Sequence, residues 1–216
     1  MSVTITRIEV QKKRKQRFSL FAGDTFVTGL SLDTLSRFQI SVGTTLSDQQ
    51  LRAIEQAETA LQLREQAFRL LARRAHSRRE LRDKLRQRNY DPLMIDKLLD
   101  DFTDRKYLDD IQYARTFIEE ELRIRYSGPV LVRDKLRQKG ITAESIETLL
   151  AEMYPPDRQL KNCRHLCEKK IKSWPRPLEN KQIRQLTGYL RNKGFSWEIV
   201  QQAAADLCEE SSYHDE

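Results

Sequence analysis

The sequence predicts a mainly α protein, an elongated array of three tandem three-helix repeats preceded by a small N-terminal β-ribbon/helix module. Three observations carry that prediction. The 216 residues are 38% hydrophobic and 33% charged, with only 7 Gly and 6 Pro, which favours helices with solvated faces and a thin core. A segment of 22 residues, "LRDKLRQRNYDPLMIDKLLDDF" from Leu81, returns as "VRDKLRQKGITAESIETLLAEM" from Val132 with nine identities, and again as "LTGYLRNKGFSWEIVQQAAADL" from Leu186. Repetition at offsets of 51 and then 54 residues is the signature of a supersecondary unit that stacks on its neighbours. The residues before the repeats instead alternate β-branched and aromatic side chains with polar ones.

Residues 1–46 read as the β-ribbon module. "VTITRIEV" and "RFSLFAG" are strand-like, Ala22-Gly23-Asp24-Thr25 is a hairpin turn, "DTFVTGL" returns as a third strand, and "SLDTLSRF" closes the module as a short helix. Residues 47–63 form a linking helix that starts at Ser47 with a capping partner in Gln50. Repeat 1 covers 64–104, repeat 2 covers 105–154 and repeat 3 covers 155–209. Each opens with a helical segment: "REQAFRLLARRA" from Arg64, "DDIQYARTFIEEELRIR" capped by Asp109, and "DRQLKNCRHLCEKKI" capped by Asp157. Pro155, Pro156, Pro175 and Pro177 mark the joints around the last.

In each repeat a second and a third helix follow. Their apolar stripes are Leu81, Leu85, Ile95, Leu98, Leu99 and Phe102, then Val132, Leu136, Ile146, Leu149, Leu150 and Met153, then Leu186, Leu190, Val200, Ala203, Ala204 and Leu207. The third set is smaller and predicts looser packing. Between the two helices stands a breaker, Asn89, Gly140 or Gly194, suited to the left-handed conformation that ends a helix. Two residues on comes an N-cap, Asp91, Thr142 or Ser196. Ser77-Arg78-Arg79-Glu80 reads as a capping box. The last seven residues, 210–216, are polar and acidic and read as a frayed tail.

The formal net charge is +7, but its distribution says more: from Arg64 to Arg88 stand ten Lys or Arg and three acids. Such a stripe suits a polyanion or the acidic face of a protein partner. No apolar run approaches the roughly 18 residues of a membrane span, and no signal-peptide core is present, so the chain is read as cytoplasmic without membrane contact. Cys163, Cys167 and Cys208 have no disulfide-framework spacing, which fits a reducing compartment.

Candidate contact residues come from the repeat frame. On a helical wheel Arg82 and Arg86 fall to one side of the Leu81 and Leu85 stripe, Arg133 and Arg137 take the equivalent places in repeat 2, Arg191 follows in repeat 3, and Arg79 and Arg184 extend the same side. A solvated face is the competing explanation, but arginine at repeated helical addresses exceeds what solubility asks. Arg88, Lys139 and Lys193 also recur, close to the apolar stripe at a helix end, where they cover the core and favour the helix dipole.

Asp109-Asp110 is a helix start, not a metal pair, because adjacent helical residues diverge. Cys163, His165 and Cys167 lack the convergent ligands of a zinc site, so the cysteines read as small buried hydrophobes. Trp174 and Trp197, with Tyr107, Tyr113 and Tyr126, are of the types that stack on bases, but Trp174 sits in a joint and Trp197 opens a helix, so the two read as packing or joint residues and none of the five is assigned a binding role. Neither a glycine-rich phosphate loop nor a nucleophile elbow occurs, and the chain is read as a non-enzyme with no cofactor and no metal.

"AFRLLARRAHSRRELRDKL", "KYLDDIQYARTFIEE" and "GPVLVRDKLRQKGI", in this order and spacing, resemble the RecX regulatory proteins of bacteria, and "ITRIEVQKKRKQRFSLF" is similar to the extension of the longer members. The resemblance implies a modulator of the RecA recombinase that lies in the groove of the RecA–DNA filament and suppresses strand exchange and ATP hydrolysis. It implies RecA, as a nucleoprotein filament, for the partner of a monomer. The third repeat departs from the pattern, with Thr187-Gly188-Tyr189 where the others have Arg-Asp-Lys. The alternative is direct binding of single- or double-stranded DNA, because short helix, breaker and second helix also describe a helix-turn-helix.

Overall fold

The computed structural model describes residues 2–11, 14–175 and 178–212. Pro177 and residues 213–216 of the tail lie outside the described residues, as do the side chains of Leu207 and Cys208. The chain divides into two compact units, Met1–Arg74 with Leu85–Leu98, and Ala75–Lys84 with Leu99–Glu216.

In the first unit the alternating segments form strands as expected, but pair in two sheets. β1 (Ser2–Thr4) is antiparallel to β5 (Thr45–Ser47), while β2 (Arg7–Gln11), β3 (Arg14–Ala22) and β4 (Thr25–Ser31) form a three-stranded antiparallel sheet in that order. The β3–β4 turn is Gly23-Asp24, and Gly23 takes the positive φ of +60° that the tight turn demands. Ser31 caps α1 (Leu32–Arg37), and Ser47 with Gln50 forms a capping box for α2 (Asp48–Leu71). Residues 63 and 64, where linking helix and first repeat were divided, lie inside α2. No Gly or Pro interrupts Asp48–Leu71, so nothing local ends the helix there.

Ile5, Leu20, Leu30, Leu35, Ile40, Leu46 and Ile54 are the core of the module, which therefore packs directly on α2. A buried ion pair fastens the contact. Glu58 of α2 accepts from Arg17 Nη1 (2.8 Å), Ser31 N (2.9 Å), Thr34 Oγ1 (2.7 Å) and Gln62 Nε2 (2.9 Å). Burial works to raise the Glu58 pKa, but the hydrogen bonds from Ser31, Thr34 and Gln62 outweigh it and hold the carboxylate below its ordinary range. The side chains of Arg17 and Gln11 lie across Gly29, where a Cβ would stand 2.9 Å from Gln11 Nε2, and Arg17 Nη2 reaches the Gly29 carbonyl at 2.7 Å.

α3 (Arg78–Arg86) and α4 (Pro92–Asp104) each contribute residues to both units. The second unit continues with α5 (Asp110–Glu120), a π-helical turn (Glu121–Arg125), α6 (Pro129–Gln138), α7 (Ala143–Met153), α8 (Pro156–Ile171), α9 (Asn180–Asn192) and α10 (Trp197–Ser212). The three-helix repeats are thus α2 to α4, α5 to α7 and α8 to α10. The predicted breakers carry positive φ at Asn89 (62°), Gly140 (85°) and Gly194 (91°). Asp91, Thr142 and Ser196 cap the helices that follow, accepting from Met94 N, Ser145 N and Ile199 N. Among the described side chains, which leave out Leu207, the predicted stripes are buried, Met153 and Ala204 only partly, and Cys163, Leu166 and Cys167 of α8 extend the core around the small residues of repeat 3.

Two expectations are corrected here. Asp157 is not the cap of α8, which begins at Pro156 with Pro155 at the N-cap; proline's fixed φ suits the first turn, and Asp157 falls inside it. The segment from Asp109 is not one regular helix: its last turn widens into the π-helical turn, and Tyr126 is left-handed at φ 52°. Glu121 opens that turn; it is 1% exposed, accepts from Ser127 Oγ (2.7 Å) and Lys135 Nζ (2.7 Å) and pairs with Arg125. Burial would raise its pKa, yet the hydrogen bonds from Lys135 and Ser127 and the charges of Lys135 and Arg125 hold it low.

Candidate partner-binding face

Repetition in the sequence becomes repetition of one joint in the second unit. Ser77 Oγ donates to the Lys139 carbonyl (2.7 Å), and 51 residues on, Gly128 N donates to the Lys193 carbonyl (2.7 Å), followed by Val130 N to Gly194 O (3.1 Å). The N-terminus of α3 therefore seats on the last turn of α6, and the N-terminus of α6 on the last turn of α9. Each joint sets the positive end of one helix dipole against the negative end of the next and gives partners to orphan carbonyls. Close approach has a steric condition. A Cβ on Gly194 would stand 2.5 Å from Leu131 N, and one on Gly140 would stand 2.7 Å from Cβ of Arg79.

Side chains clamp the first joint. Glu80 pairs with Lys139 Nζ and accepts from Tyr113 Oη (3.1 Å), so the residue read as half of a capping box also ties α3 to the next repeat. Ser77 Oγ does receive Glu80 N at 3.2 Å. Asp109 caps α5 through Gln112 N (2.9 Å), as the sequence implied, whereas Asp110 accepts from Arg78 N (2.7 Å) and caps α3 from outside. Burial pushes the Asp110 carboxyl above its ordinary value against the pull of Arg78. Lys139 and Lys193 also lie over Phe117 and Tyr189.

Against this frame the seven arginines separate into two kinds. Arg133, one residue past Val132 on the wheel, points toward the neighbouring helix and makes a two-pronged contact with Glu147 of α7, Nε to Oε1 at 2.6 Å and Nη2 to Oε2 at 2.9 Å. That hydrogen bonding holds the Glu147 pKa down and raises that of Arg133. Arg133 thus serves the fold of its own repeat, and Arg82 at the same address is half-buried. Arg79, Arg137, Arg184 and Arg191 are exposed in the second unit, Arg137 with a long 3.7 Å contact to Asp134. The stem of Arg79 rests on Gly140. Arg86 is exposed in the first unit.

Two residues not assigned to contact by the sequence stand at the second joint. Trp197, read as a packing or joint residue, is 50% exposed, and Val130 is 47% exposed. A signal existed for Val130: it holds the address that is arginine in the other repeats, Arg79 and Arg184. Trp174, by contrast, packs against the core as expected. Cys163 and Cys167 are buried in that core. Among the described residues no cluster of three His, Cys, Asp or Glu side chains is arranged to hold a metal ion, and no helix is long and apolar enough to cross a membrane.

Fold and joints together define the class: a modular protein of tandem three-helix repeats led by a β-module, with exposed arginines at repeated addresses. Family models match four stretches, the Regulatory protein RecX N-terminal domain at 3–47 and the first, second and third three-helix domains of RecX at 64–102, 109–150 and 157–204. The chain belongs to the RecX family of regulatory proteins. It is 28% identical to the regulatory protein RecX of Listeria innocua over 98% of this chain and 78% of that one, and 28% identical to that of Clostridium tetani over 91% and 90%. Among solved structures, a crystal structure of regulatory protein RecX matches with TM-score 0.71 over 95% of this chain and all of its own at 22% identity. RecX from Lactobacillus salivarius matches with TM-score 0.64 over 70% of this chain and 97% of its own, also at 22% identity.

Proposed function

We propose that this chain is a non-enzymatic, cytoplasmic regulator of the RecA recombinase, mainly an inhibitor. As a monomer it binds in the groove of the RecA–DNA filament and suppresses strand exchange and ATP hydrolysis. Membership of the RecX family supports the partner, and one observation supports the mode: Arg79, Arg137, Arg184 and Arg191 stand exposed on middle helices that are joined end to end, so a repeated partner meets a repeated charge. Arg86 belongs to the same set by its address. Arg82 and Arg133 belong to the fold first, and we place them at the margin of the contact.

Direct DNA binding is the reading this one must exceed. Co-sedimentation with RecA assembled on single-stranded DNA, beside DNA alone and RecA alone, separates them. A filament regulator is retained far better by the assembled filament than by either component. Equal retention on naked DNA, with a steep loss as salt rises, would remove the proposal in favour of phosphate binding.

A further inference from the structure

The second joint carries two half-exposed apolar side chains, Val130 and Trp197. Val130 contributes its backbone to the joint, N–H to Gly194 O at 3.1 Å, while its side chain is 47% exposed. Trp197 opens α10 three residues beyond Gly194, which limits the Gly194–Trp197 Cα separation to about 11 Å, and half of its surface is exposed. Both side chains therefore belong to the rim of one joint. The exposed charges of the two helices that meet there, α6 and α9, are mostly positive, Arg137, Lys181, Arg184 and Arg191, against Asp134, and Glu198 is the exposed acid next to Trp197. The other joint has no such pair: its equivalents of Val130 and Trp197 are Arg79 and Ala143.

We infer that Val130 and Trp197 form an apolar anchor within the basic face, and that its occupant is a protein surface presenting an apolar side chain rimmed by carboxylates. This rests on the reading above, in which that surface belongs to a RecA protomer of the filament. A half-exposed tryptophan beside helices whose exposed charges are mainly arginine has the composition of an interface hot spot. Phosphates do not account for it, because a valine side chain neither donates a hydrogen bond nor stacks on a base. Fold does not account for it either, since arginine fills the Val130 address in the two other repeats.

That equivalence supplies a substitution the fold accepts, Val130→Arg, which removes apolar surface and adds a positive charge. The full chain and its variants V130R and Trp197→Ala are titrated onto RecA–single-stranded DNA filaments and onto the same DNA alone, each at two salt concentrations, with helicity and melting recorded. W197A should weaken filament binding by roughly tenfold or more without changing its salt dependence, as a lost apolar hot spot does. V130R should weaken it severalfold in spite of its added charge. Tighter or equal filament binding by V130R would overturn the anchor and leave a purely electrostatic face. An equal loss by W197A on DNA alone would overturn it in favour of base stacking. Should the wild-type chain prefer neither filament nor DNA, the regulator reading itself fails and the anchor loses its partner with it; should W197A unfold, V130R still decides.

Discussion

Gly128→Ala is the perturbation that tests the joint most directly. The backbone of Gly128 has φ −72°, which any residue adopts, so the substitution carries no conformational objection of its own. The objection is steric. A methyl group there would run into the backbone C and O of Gly194 and stand 2.5 Å from Phe195 N. Ordinary contact begins near 3.5 Å, so the N-terminus of α6 must withdraw by about 1 Å. Withdrawal on that scale breaks the bonds from Gly128 N to Lys193 O and from Val130 N to Gly194 O, now 2.7 and 3.1 Å. Two backbone hydrogen bonds at about 0.5–1.5 kcal/mol each, with overpacking strain of about 1–3 kcal/mol, place the loss at about 2–5 kcal/mol. The assay is urea denaturation followed by tryptophan fluorescence, because Trp174 and Trp197, the only two in the sequence, both flank the helix that receives α6. Gly188→Ala is the control: nothing lies within 4 Å of its Cβ position, and the exchange inside α9 should stabilise by about 0.5–1 kcal/mol. Stability of G128A within about 0.5 kcal/mol of wild type, at an unchanged denaturant slope, would refute the account of the joint.

Glu58 has a folded pKa below its unfolded one, so its contribution is present above the unfolded value of about 4.3 and is lost as pH falls through the folded value. Stability of the first unit, followed by far-ultraviolet circular dichroism, should decline in that acid window for the wild type and less steeply for Glu58→Gln. Arg133→Ala should cost up to about 1 kcal/mol through Glu147, a modest figure because the pair is partly exposed, whereas Arg137→Ala should stay within about 0.5 kcal/mol; thermal melts that reverse the order would contradict their assignment. Replacing Arg79, Arg137, Arg184 and Arg191 together by Glu should leave melting nearly unaltered and reduce filament retention sharply, and unchanged co-sedimentation would dismiss the face. Asn89→Gly should raise stability by a few tenths to about 1 kcal/mol in denaturation, because the backbone there is left-handed at φ 62°.

What could be read without coordinates was whatever the chain decides locally. The periods of 3.6 and 2 marked the helices and strands, the positive φ of Asn89, Gly140 and Gly194 followed from residue type, and the caps at Asp91, Thr142 and Ser196 lie within three residues of the groups they serve. Repetition then made three copies as legible as one. The helical address of each candidate arginine was legible to the same depth, but not what its side chain meets. Arg133 and Arg137 look alike in sequence, and only the crossing of α7 gives Arg133 a two-pronged bond to Glu147, fourteen residues away, while Arg137 stays exposed. The same limit hid the pairing of β1 with β5, the π-helical turn closed by Lys135 on Glu121, and the seating of Gly128 on Lys193. Backbone propensity and side-chain periodicity act over a few residues, so the sequence alone determined the elements and their buried stripes. Which flank of each helix meets a neighbour depends on where packed helices cross, and that is decided only when distant segments compete for the same apolar surface.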